Sequence, residues 1–122
     1  MWKRDLAGPV LAALLMAACG GAAVPNQKLA NAKASIRGAE EVGAEQNPQA
    51  ALHLKMARDQ VAKAERLIDD DDNESAALTL NQAQADADLA LAMAREEKER
   101  QLANQAKTRI EELRAQMQMK AK

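Results

Sequence analysis

Phenylalanine and tyrosine are absent from this chain, and the one tryptophan, Trp2, lies near the N-terminus. Aromatic side chains carry much of the bulk of ordinary cores, so a thick globular core is excluded. Cysteine occurs once, as Cys19, and histidine once, as His53. There is thus no CxxC pair, and His53 has no partners that the sequence can place for catalysis or metal binding, so it is expected on the surface of a helix. Ser35 and Ser75 lack a paired base, and no glycine-rich phosphate loop is present. The constellations that nucleophilic or acid–base chemistry requires are missing, so neither an enzyme nor a cofactor is expected. The formal charge of −1 gives no basic field for nucleic acid. Glycine and proline stop at Pro48, so nothing interrupts a helix over the rest of the chain.

What is abundant is alanine, followed by Glu, Gln, Lys, Leu and Arg. These residues have the highest intrinsic helix propensities, and a chain built from them reads as long helices in thin bundles. The fold class expected is all-α. It is an antiparallel three-helix bundle, or a helical hairpin, with a long projecting C-terminal helix.

The N-terminus has a different pattern. Lys3 and Arg4 precede an uncharged run over residues 6–18. That run is too short for a bilayer-spanning helix, which needs roughly 20 residues, but it fits the apolar region of a secretory signal. Ala17 and Ala18 then precede Cys19. Small residues before a cysteine, directly after such a run, resemble the lipobox of bacterial lipoproteins, with Met16 standing where Leu is usual. The resemblance implies cleavage before Cys19 and acylation of that residue. It also implies outer-membrane anchoring on the periplasmic face, because Gly20 rather than an acidic residue follows the cysteine. Residues 1–18 are then a signal peptide. Residues 19–26 form a flexible leash, whose seven residues after the cysteine reach roughly 15 Å.

Three helices follow from caps and periodicity. The first starts near Asn26, with the stripe Leu29, Ala32, Ile36, Ala39 and Gly43. Asn47 is a good N-cap and Pro48 suits the first helical position of the second helix. Its stripe is Ala50, Leu54, Ala57, Val61, Ala64 and Ile68, with alanine at every seventh position, which permits close helix approach. The third starts near Ser75 and shows Ala76, Leu80, Ala83, Ala87, Ala90 and Ala94 on one face, widened by Leu78, Leu89, Leu91 and Met93. It can run some 45 residues, about 70 Å, against roughly 32 Å for the second. The bundle domain is expected over 27–95 and an extended, coiled-coil-like helix over 96–122. That overhang carries a thin stripe of Leu102, Ala106, Ile110, Leu113 and Met117. A lone helix of this kind is marginal in water. It either meets another copy or a partner helix through these residues, or ends as a solvated, charged helix.

The acidic run at 69–74 lacks the glycine and the distal glutamate of a calcium loop. It reads as a solvated turn, in which Asp71 and Glu74 have capping-box spacing.

From "SIRGAEEVGAEQNPQAALHLKMARDQVAKAERLIDDDDNESAALTLNQAQADADLALAMA" onward the chain resembles a family of small alanine-rich bacterial lipoprotein domains of unknown function, sometimes found upstream of OmpA-like domains. The resemblance covers roughly residues 28–95, implies a helical fold and brings no catalytic residues. The chain itself carries no OmpA-like segment. The function expected is a structural or adapter role in the cell envelope, with the bilayer as one partner through Cys19. One alternative is a covalent membrane-to-peptidoglycan staple of the murein-lipoprotein type, through Lys122. A second is a small-ligand or metal carrier, suggested by the acidic turn.

Overall fold

The computed structural model describes residues 21–121. Three helices, α1 (Asn26–Val42), α2 (Pro48–Asp69) and α3 (Asn73–Lys120), account for nearly all of it. Residues 21–25 precede α1 without regular structure. The signal peptide at 1–18, Cys19 and Lys122 lie outside the described residues.

Glycine ends α1. Gly43 sits in the left-handed region with φ 90° and returns its N–H to the carbonyls of Ala39 and Glu40, the usual way a glycine closes a helix. It therefore terminates the first stripe rather than continuing it. A single 3₁₀ turn (Ala44–Gln46) leads to Asn47. The Asn47 side chain accepts from the N–H groups of Gln49 and Ala50 at 3.0 and 3.1 Å, and Pro48 opens α2. Both capping expectations hold here.

The second corner is tighter. Asp72 N–H donates to Leu67 O at 2.8 Å and Asp71 N–H to Ile68 O at 3.0 Å, with Asp71 at φ 60°. This is a Schellman closure with aspartate in place of the usual glycine, tolerable because Asp is among the few residues that visit this region. Asp72 also caps α3, accepting from Ser75 N at 3.2 Å. The cap is thus Asp72, not Asp71, and α3 begins two residues before Ser75. The Schellman bonds occupy Asp71 in ending α2, so the next residue takes the capping position.

The chain turns back at each corner. α2 runs antiparallel to both neighbours, and α1 and α3 are parallel. Lys28 Nζ reaches Asn81 Oδ1 at 2.8 Å near the start of α1, while Gly38 faces Leu91 ten residues further on in both helices. α3 packs along both other helices.

Eleven of the fifteen buried hydrophobic residues are alanine, and Leu54 and Leu80 are the largest side chains fully buried. Alanine faces bring helix axes toward the short end of the usual 8–10 Å separation. They bury little area each, so Leu54 and Leu80, at roughly 2–3 kcal/mol apiece, weigh heavily in this thin core. The stripes of α2 and α3 are buried as spaced, except Ile68, which is half-buried at the end of α2. On α1, Ala32, Ile36 and Ala39 are buried, whereas Leu29 packs against the core only in part. Leu91 and Met93 also pack against it, but Leu78 and Leu89 face solvent at 60% and 41% exposure. Thr79 is the one buried polar residue among those described, and its hydroxyl donates to Ser75 O at 2.8 Å.

Candidate functional site

The bundle ends where α1 and α2 run out of chain. Ala94 is the last buried residue of α3, and every described residue from 98 to 121 is exposed. The segment beyond Gln101 is about 30 Å of helix that is exposed along its whole length among the described residues. Leu102, Ala106, Ile110, Leu113 and Met117 all lie on it, along one face of the helix. Leu102, Ile110, Leu113 and Met117 are 56%, 49%, 44% and 71% exposed. Large apolar side chains normally reach this exposure singly rather than in register. No helix of the described residues is long and apolar enough to cross a membrane.

At the base of this projection, an open groove of about 620 Å³ lies between the α1–α2 corner and α3. Val42, Gln46 and Pro48 face Ala94, Glu97 and Arg100 across it. The Arg100 guanidinium, helped by the Gln101 amide, holds the Glu97 carboxyl below its ordinary value. The same ion pair raises Arg100 further above its own ordinary value. Both side chains are solvated, so the pair orients the groove wall more than it stabilises the fold.

His53 departs from expectation. It is half-buried between α2 and α3, with Nδ1 2.9 Å from Asp86 Oδ1. Gln60 Nε2 donates to the other oxygen, Asp86 Oδ2, at 2.8 Å. Asp86 therefore ties two turns of α2 to α3, while Gln60 Oε1 is buried without a partner. The sequence carried half of a signal for this cluster, in the seven-residue spacing of His53 and Gln60 on one face of α2. The third member lies 26 and 33 residues away, and only the helix register brings it there. A second cluster holds the corner. Arg58 donates from Nη2 to Glu45 Oε1 at 2.7 Å and from Nε to Glu40 Oε1 at 3.0 Å, joining α2 to the 3₁₀ turn and to α1. Glu45 first, then Glu40, raise the Arg58 pKa. Neither cluster presents a nucleophile beside a base. Among the described residues, no three His, Cys, Asp or Glu side chains converge as metal ligands. Of the acidic run at 69–74, Asp72 caps α3 through its side chain and Asp71 closes α2 through its backbone.

The family model for a domain of unknown function, DUF4398, matches residues 27–106. It takes in the whole bundle with Leu102 and Ala106, and stops short of Ile110, Leu113 and Met117. Searches of curated proteins and of solved structures give no significant match. A match over this much of the chain shows that the protein belongs to the DUF4398 family, as an alanine-rich helical bundle whose last helix runs on beyond the family domain.

Proposed function

We propose that this is a non-catalytic, lipid-anchored protein of the bacterial envelope, an adapter held on the periplasmic face of the outer membrane by acylated Cys19. The observation that carries the reading is the polarity of the rod. α1 and α3 are parallel, so the tethered end of the chain lies beside the start of α3, where Lys28 meets Asn81. The exposed apolar stripe lies toward the opposite end, from about 30 to about 55 Å away along α3. An anchor at one end and an unpaired contact face at the other is the arrangement that tethering requires.

The anchor is a matter of acyl chemistry. Each buried methylene contributes about 0.8 kcal/mol, and two or more chains on one cysteine hold stably where a single chain exchanges. The use of the Asp72 carboxylate as the cap of α3, and the lack of any converging set of three metal-ligating side chains among the described residues, favour the structural role over a metal carrier.

Growth with labelled palmitate tests the anchor. The wild-type chain takes up label and loses residues 1–18, while the Cys19→Ser variant stays unlabelled. A wild-type chain without label overturns the reading.

A further inference from the structure

We propose that the projecting part of α3 docks a helix of another protein whose own apolar seam is bordered by Asp and Glu. The inference deepens the adapter reading and rests on it for the contact surface only, not for the anchor at Cys19.

A 3.5-residue repeat places Ala103, Ile110 and Met117 at one set of seam positions, with Ala106 and Leu113 at the other. The positions that flank such a seam choose the partner. Here they hold Lys107 and Arg114 along one edge, and Arg109 followed by the neutral Gln116 along the other, all exposed. Lys107 and Arg114 make no ion pair among the described residues. Arg109 reaches only Glu112 of its own helix, at 3.2 Å, and both remain more than half exposed. The acids of this segment, Glu111 and Glu112, lie outside the flanking positions. The seam is therefore bordered by cations on both sides, although the chain as a whole is slightly acidic.

This border opposes self-pairing in either direction. In a parallel pair, Arg109 of one copy faces Arg114 of the other. In an antiparallel pair in which Arg109 faces Arg109, Lys107 faces Lys107. The stripe itself, rather than its basic border, fits a bilayer poorly. Residues 102, 106, 110, 113 and 117 span an arc of only about 80°, the width of a coiled-coil seam rather than of a helix lying in a membrane interface. A helix with carboxylates beside its seam satisfies both features, since opposite charges at the flanks fix partner and register.

The test uses the purified full chain and two labelled peptides of about three heptads, with identical Leu/Ile seams. One peptide carries Glu at the flanking positions and the other Lys. The Glu peptide is expected to bind at least about tenfold more tightly, and to weaken as salt rises. A variant carrying Lys107→Glu, Arg109→Glu and Arg114→Glu should reverse the preference, a gain of binding that a frayed helix does not give. Equal affinity for the two peptides, no binding of the Glu peptide, or an unreversed preference overturns the proposal. Self-association of the wild type that is lost in Leu113→Lys assigns the seam to a second copy and also overturns it. Seam-dependent binding to phosphatidylglycerol vesicles without peptide discrimination assigns the face to lipid, with the same result. A chain that prefers the Glu peptide but takes no palmitate supports the partner chemistry and sinks only the anchor.

Discussion

Gly38 and Gly43 lie five residues apart and have opposite uses. Gly38 is mid-helix, and a Cβ placed on it meets only Leu91 Cδ2 at 4.0 Å. Gly38→Ala should therefore stabilise the bundle by about 0.5–1 kcal/mol, by restricting the unfolded chain and restoring helix propensity. Gly43 needs its left-handed φ of 90° to close α1, so Gly43→Ala should cost about 1 kcal/mol or more. Urea unfolding of both variants checks the two signs, and equal effects would contradict the geometry. The Glu97 carboxyl gives a pH prediction. Its folded pKa is lowered by Arg100 and then Gln101, so its contribution is present above the unfolded value and is lost as pH falls through the lowered folded one. Carboxyl titration by NMR should place Glu97 below its ordinary value, and Arg100→Ala should raise it toward that value, with the Gln101 bond still holding it down in part. An unchanged midpoint would sink the assignment. At this scale the sequence showed the Asn47 cap and Pro48, because a cap is a local hydrogen bond between residues two or three apart. It did not show that Gly43 ends α1, since glycine at that spacing also fits a stripe. Nor did it show Asp86 between His53 and Gln60, whose meeting depends on the register of α2 against α3.

The elements divide the chain into a packed part and a bare part. The stripes of α2 and α3 were legible because a buried face must repeat every three and four residues along a helix, and the absence of glycine and proline after Pro48 predicted the length of α3. The exact start of α3 was not legible. Four consecutive aspartates offer several equivalent caps, and backbone closure of α2 decides among them. Leu78 and Leu89 widen the apolar surface of α3, and they do so on its exposed side. Because every described residue beyond 101 is exposed, a chain stopped after Gln101 should unfold within about 2 °C of the full chain. Thermal unfolding followed by circular dichroism reads this directly. A large fall in the midpoint would mean that the projection supports the bundle it leaves.

At the scale of the molecule, the fold is a rod with a thin alanine core at one end and an unpartnered seam at the other. Its all-α class was plain from composition, and the overhang followed from the mismatch between α2 and α3. Which groups border the seam was already present in the sequence, but only continuous helix to Lys120 makes those positions neighbours. The same continuity sets the stripe well away from the start of α1. The most direct test is photo-crosslinking in living cells, with a photoreactive residue placed in turn at Ile110 and Leu113 on the seam and at Thr108 and Glu111 behind it. The seam positions should give one discrete adduct of higher mass, and the positions behind should give none. Adducts from both faces alike, or from neither, would contradict a contact role for the projecting helix.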